Sequence, residues 1–166
     1  MSLRTAAVAG VLMLGCTAGA TAPAAPVSGI VPVYTEISAD LAADKLDAIA
    51  ALSGDLEKQA KALEGKPGIA KVTAALPGLA RADLSWVRQS FKNVSDGMIE
   101  YMRSDASTQS GSVVVFCPMA FNDKGALWVQ AEGKIANPYF GASMLRCGNK
   151  VGWGDELPQT VEIAIP

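Results

Sequence analysis

The chain has 166 residues, a formal net charge of −2 and no histidine; half of it is hydrophobic, much of that Ala, and aromatics supply only 6%. That charge leaves no electrostatic footprint for nucleic acid. The missing imidazole excludes Ser-His-Asp and Cys-His catalysis, His-ligated zinc and His-ligated haem together.

Residues 1–20 read as a signal peptide or lipoprotein leader. Arg4 gives a small positive start, and Ala6 to Leu14 is an apolar run too short to span a bilayer as a stable helix. Met13-Leu14-Gly15-Cys16 resembles an imperfect lipobox, which makes Cys16 a lipidation candidate; Ala18-Gly19-Ala20 is the competing cleavage site. An uncleaved anchor is the third reading, and all three export the chain. Residues 21–29 (TAPAAPVSG) form a flexible tether.

From Ile30 the pattern is helical. Tyr34, Ile37 and Leu41 are spaced three and four apart; after a break near Asp44 the stripe resumes at Leu46, Ile49, Leu52, Leu56, Ala60 and Leu63. Gly65, Pro67 and Gly68 end it. Ile69 to Leu76 allows about two further turns, with Pro77-Gly78 as the interruption. Leu84, Val87, Phe91, Val94, Met98 and Tyr101 then step by 3, 4, 3, 4 and 3. Met98 and Met102 belong to this apolar face and are expected in the core rather than on a metal.

Past a polar loop at Ser104 to Ser112 the period changes. Val113 to Phe116 and Leu127 to Gln130 are short strand candidates, and Asn122 to Gly125 has the composition of a turn between them. Asn137-Pro138 and Gly141 impose irregular backbone. Residues 161–166 form an edge strand or a tail. The expected fold is mainly α. A single domain covers 30–160, with an antiparallel helical bundle at 30–104 and a small C-terminal Cys/Met-containing lobe bearing short β-strands at 111–154.

The lobe holds Cys117-Pro118-Met119 and Met144-Leu145-Arg146-Cys147. Once Cys16 is lipidated or removed, Cys117 and Cys147 remain as a pair. In an oxidising compartment they can form a structural disulfide, whose loop of about thirty residues restricts the unfolded chain by roughly 3–4 kcal/mol. Alternatively Cys117, Met119, Met144 and Cys147 are ligands of a soft monovalent ion, because thiolates and thioethers favour Cu(I) whereas zinc seldom takes Met. If extended, Cys-x-Met projects both sulfurs to one side; Met144 and Cys147 neighbour each other on a helical turn. Both readings stay open on the residues alone.

Val115 to Ala120 (VFCPMA), Gly125 to Gln130 (GALWVQ), Ile135 to Gly141 (IANPYFG) and Met144 to Gly148 (MLRCG) together carry a resemblance. The set is similar to an exported bacterial domain family of unknown function that occurs alone or fused to periplasmic adaptor subunits of copper/silver-type heavy-metal efflux systems. Leu41 and Asp44 fit it upstream, as do Arg88, Phe91 and Ser95; Val129 departs from the usual Leu after Trp. The resemblance implies copper- or silver-related work outside the cytoplasm, with Cys117, Met119, Met144 and Cys147 as the metal ligands. Trp128, Asn137, Pro138, Tyr139 and Gly141 look like a structural frame holding the two arms together. A disulfide would then be the oxidised, metal-free state of the same site, and loading would depend on redox conditions.

The expected function is therefore a Cu(I)/Ag(I)-binding protein of the periplasm, or one anchored to the envelope by lipid. It would be monomeric, would not bind nucleic acid, and would partner an efflux adaptor or another copper-handling envelope protein. The alternative is an envelope interaction module with a structural Cys117–Cys147 disulfide and no metal. No enzyme activity is expected: a thiol oxidoreductase would want a C-x-x-C motif and a nearby base, and neither is evident.

Overall fold

The computed structural model describes residues 29–164; the leader, Cys16 and most of the tether lie outside them. About half of the described chain is helical, in α1 (Ile30–Ala42), α2 (Ile49–Ala62), α3 (Ile69–Leu79) and α4 (Leu84–Ser104), beside a small antiparallel sheet. α4 follows the cleanest stripe in the sequence. It starts at Asp83, whose carboxylate accepts a hydrogen bond from the Trp86 N–H at 2.9 Å and satisfies an otherwise orphaned donor. Val87, Phe91, Val94, Met98 and Met102 are fully buried along one face. The two methionines are core residues, as their spacing requires.

α3 departs from expectation. It runs on through Pro77 to Leu79 instead of stopping at Pro77-Gly78. Proline removes one helical hydrogen bond. Against that, the extra turn buries Leu79 almost completely, worth roughly 1.5–3 kcal/mol. The Leu76 carbonyl gains a hydrogen bond from Ser53 Oγ at 3.3 Å.

The sheet has the order β2-β1-β3, with β1 (Ser112–Cys117) central, β2 (Ala126–Ala131) on one side and β3 (Asn149–Val151) on the other. β1 and β2 form the expected hairpin, paired from Ser112 with Ala131 to Cys117 with Ala126. β3 pairs Phe116 with Asn149 and Val114 with Val151. The sequence holds no sign of β3, whose three residues, Asn149, Lys150 and Val151, are too few to show a pattern. Ala126 to Gln130 are all buried, because β2 packs against both α1 and α4. Helix and strand residues thus share one continuous core.

Three further segments refine the reading. A 3-10 turn, Ala106–Thr108, interrupts the polar loop. Residues 161–164 form no strand; the tail is held by Asn93 Nδ2 donating to the Ile163 carbonyl at 3.0 Å. The hairpin connection contains the helical segment Ala120–Asp123, in which Phe121, Asn122 and Asp123 all have positive φ (55°, 58° and 62°). No helix among the described residues is long and apolar enough to cross a membrane.

Candidate functional site

Strand pairing brings the cysteines together. Cys117 ends the central strand, and Cys147 lies two residues before β3, which runs antiparallel beside it. Carrying the register of Phe116 with Asn149 one step further sets Cys117 opposite Gly148. A side chain on Gly148 would have no room: a Cβ there would lie 2.8 Å from Val115 Cγ1 and 2.9 Å from Trp128 Cη2, and its φ is +144°. The two arms therefore close without a Cβ between them.

The Cys117 and Cys147 sulfurs are 2.8 Å apart, both as free thiols. That is longer than the roughly 2.05 Å of a disulfide bond and shorter than an ordinary contact between unbonded sulfur atoms, so the pair is placed to be joined by a disulfide. The pair is asymmetric: Cys117 is fully buried, whereas Cys147 is half-buried. Burial, reinforced by the hydrogen bond and proximity of the Cys117 thiol, pushes the Cys147 thiol up to about 11. Cys147 is therefore a protonated thiol at neutral pH, and a metal or an electrophile must displace that proton.

Every frame residue contacts an arm or its support. Asn137 is fully buried; its Nδ2 donates to the Cys147 carbonyl at 2.8 Å, and its Oδ1 accepts from the Tyr139 N–H at 2.8 Å and the Phe140 N–H at 3.2 Å. Its own N–H donates to the Leu145 carbonyl at 2.9 Å, and the Gly141 N–H donates to its carbonyl at 3.0 Å. Tyr139 donates its hydroxyl to the Leu127 carbonyl at 2.5 Å and meets Trp128 edge to face at 5.7 Å. Trp128 Nε1 donates to Gln130 Oε1, which also accepts from the Ala136 N–H. Arg146, beside Cys147, donates to the Ile135 carbonyl.

Asp44 and Arg88 tie this frame to the helices. Arg88 Nε donates to the Pro138 carbonyl at 2.8 Å, and its Nη2 donates to the Leu41 carbonyl and to Asp44 Oδ1, at 3.1 and 2.6 Å. Asp44 Oδ2 accepts from the Ala142 N–H at 2.9 Å. That N–H, followed by the Arg88 hydrogen bond, holds the Asp44 carboxyl below the usual carboxylate range. Gly141 sits under the clamp at φ +57°, where a Cβ would fall 1.9 Å from Asp44 Oδ1.

Tyr34 was legible only as part of an apolar stripe, yet its hydroxyl pairs with Ser95 Oγ at 2.7 Å and accepts from the Val129 N–H at 3.0 Å. Its ring stacks on Phe91, which in turn leans on Tyr139. Nothing in the spacing marks a stripe tyrosine as the link between α1, α4 and β2.

The methionines stand differently. Met119 is not in extended backbone: its φ and ψ are −85° and −9°, because the chain turns at Pro118-Met119. The strand-period alignment of Cys117 with Met119 therefore fails. Met119 is 47% exposed, one of two large hydrophobic residues so exposed among those described. Met144 is half-buried and starts a turn closed by the Cys147 N–H donating to its carbonyl at 3.0 Å, so the expected neighbourhood of Met144 and Cys147 comes from a turn rather than a helix. Among the described residues no group of three or more Cys, Asp or Glu gathers as a metal site. A metal here would have two thiols as its placed donors, which suit a soft ion and not a hard cation. Comparisons with protein-family models, curated proteins and solved structures give no match.

Proposed function

We propose that the protein is an exported carrier of Cu(I) or Ag(I), with Cys117 and Cys147 as anchoring ligands and Met119 and Met144 as thioether donors at the mouth. The observation behind this reading is that the fold brings together two thiols thirty residues apart in sequence. At 2.8 Å the sulfurs would have to move apart to admit an ion, since one metal–sulfur bond alone is about 2.3 Å. Binding displaces two thiol protons and leaves a thiolate pair to neutralise the ion. Met119, exposed and two residues along the chain from the buried Cys117, would then capture and release the ion by ligand exchange. The resemblance to domains associated with copper/silver efflux adaptors supports the same cargo and suggests such an adaptor, or another copper-handling envelope protein, as the partner. In this reading the antiparallel bundle at 30–104 carries the Cys/Met lobe at 111–154, and the monomer is free in the periplasm or anchored through Cys16. No bond chemistry is assigned to it.

The test is competition for Cu(I) between the reduced protein and a chromophoric chelator. Uptake of one ion per chain is expected, abolished by Cys117→Ala or Cys147→Ala and weakened by Met119→Leu or Met144→Leu. If the reduced chain leaves the chelator fully loaded, the carrier reading fails. A second reading, an envelope interaction module with a structural Cys117–Cys147 disulfide, is favoured by the complete burial of Cys117. It expects no Cu(I) uptake after reduction and a loss of stability when either cysteine is removed.

A further inference from the structure

We propose that Cys147 is the entry sulfur, and Cys117 the resolving sulfur, of a thiol–disulfide exchange site that takes a low-molecular-weight disulfide such as glutathione disulfide. The inference goes beyond metal carriage, since it uses the placement of the two thiols in the metal-free chain and does not require that the protein binds a metal at all.

Three features carry it. First, access is one-sided: Cys117 is fully buried at the end of the central strand, and Cys147 is half-buried on a turn beside it. A disulfide arriving from solvent reaches Cys147. Second, the resolving sulfur is in place, because 2.8 Å separates the two Sγ atoms. The second step is then intramolecular and gains from proximity. Third, Cys147 is fixed against swinging away. Its N–H donates to the Met144 carbonyl at 3.0 Å, and its carbonyl accepts from Asn137 Nδ2 at 2.8 Å. Both bonds leave the thiol free and hold its backbone against Cys117.

The chemistry balances in two exchanges. Cys147 first loses to solvent the proton that burial holds up to about pH 11, so exchange is slow at neutral pH and quickens in alkali. Its sulfur then attacks one sulfur of glutathione disulfide. The glutathione S–S bond breaks, one glutathione leaves as thiolate and takes up a proton, and the other stays bonded to Cys147. Cys117 then gives up its proton and attacks Cys147 Sγ; the second glutathione leaves and is protonated. The protein dithiol is oxidised by two electrons, and one glutathione disulfide becomes two glutathione thiols. Run backwards, glutathione thiol opens the protein disulfide by attack at Cys147.

The test incubates the reduced full chain with glutathione disulfide, quenches in acid, and maps each cysteine by peptide mass, so that Cys16 is read separately. The wild type should end with Cys117 and Cys147 joined. Cys117→Ala should accumulate glutathione on Cys147. Cys147→Ala should modify Cys117 at least about tenfold more slowly, as burial of a thiol requires. Comparable modification of Cys117 in Cys147→Ala overturns the assignment, as does a wild type that stops at the mixed disulfide. Should a variant fail to fold, pulse alkylation of the reduced wild type decides instead: Cys147 labelled at least about tenfold faster than Cys117 supports the assignment, and equal labelling overturns it. Cu(I) competition is a separate readout, so either proposal can fail alone.

Discussion

Asn137 Nδ2 donates to the carbonyl of Cys147 at 2.8 Å, and through this bond a fully buried amide holds the second cysteine against the first. The same side chain accepts from two backbone N–H groups, of Tyr139 and Phe140. Asn137→Ala strands all three partners and should cost about 2–4 kcal/mol of stability, since a buried unsatisfied polar group costs roughly 1–3 kcal/mol. Asn137→Asp keeps the acceptor but buries an unpaired carboxylate with one oxygen against the Cys147 carbonyl, so it should cost at least as much while freeing Cys147. Urea unfolding measures the first effect. The yield of internal disulfide after mild oxidation measures the second, and an unchanged yield in Asn137→Asp would contradict this role.

Gly148 is the position where the arms touch. Gly148→Ala places a methyl against Val115 and Trp128, both fully buried, and asks for a backbone conformation that alanine rarely adopts. A loss of about 1–3 kcal/mol is expected, together with slower closure of the Cys117–Cys147 bond. Gly111→Ala makes the control, because a Cβ there meets nothing within 4 Å although its φ is also positive (+69°). If the two variants unfold at the same urea concentration, the crowding at Gly148 is not what matters.

The Asp44–Arg88 clamp predicts a signature in acid. The Asp44 carboxyl is held below its ordinary range first by the Ala142 N–H and then by Arg88. A depressed folded-state pKa gives stability that is present above the unfolded value, about 3.9, and is lost as pH falls through the folded value. Wild type should therefore exceed Asp44→Asn in Tm at pH 6, and the gap should narrow towards pH 2. Arg88→Lys cannot serve the Pro138 carbonyl, the Leu41 carbonyl and Asp44 in one planar fork. It should cost about 1–3 kcal/mol at neutral pH. A gap that stays constant with pH would remove Asp44 from the clamp.

How much of this was legible in the sequence depends on the kind of signal. The α4 stripe, the burial of Met98 and Met102, and the β1–β2 hairpin follow from periodicity and turn composition, which are local. The cysteine pairing could only be suspected, because it depends on β3, a three-residue strand that exists through its partner and not through its own pattern. The run of Pro77 inside α3 was hidden for a related reason: burial of Leu79 outweighs a local preference. The alignment of Cys-x-Met was conditional on an extended backbone, and the chain turns at Pro118-Met119 instead. Asp44 and Arg88, forty-four residues apart, carry no mark of their ion pair beyond their place in the resemblance.

That turn gives another measurement. Phe121, Asn122 and Asp123 occupy the left-handed region in succession, at roughly 1–2 kcal/mol for Phe121 and less for Asn and Asp, which adopt it more readily. Phe121 is held there by its edge contact with Tyr139 at 5.2 Å. Asn122 and Asp123 have no ring contact of that kind, so Asn122→Gly should stabilise the protein by about 0.5–1 kcal/mol. Phe121→Gly relieves the same strain but loses the contact, and should destabilise. Urea midpoints of the two variants should move in opposite directions.

The raised thiol of Cys147 makes two predictions about alkali. Its folded value of about 11 lies above its ordinary value of 9.0, so the folded chain holds this proton more tightly than the unfolded chain. Stability from this source is complete below the unfolded pKa and is lost as pH rises through the folded one, a window from about pH 9 to 11. Under reducing conditions the Tm of wild type should fall across that window more steeply than the Tm of Cys147→Ala. Metal uptake should move the other way. A soft ion must displace the Cys147 proton at any pH below about 11, so this proton alone should raise apparent Cu(I) affinity about tenfold per pH unit, levelling only as the thiol titrates. Chelator competition at pH 6, 7 and 8 reads the slope. A flat profile would mean that Cys147 does not give up a proton to the metal, and Cu(I) would then have to sit elsewhere.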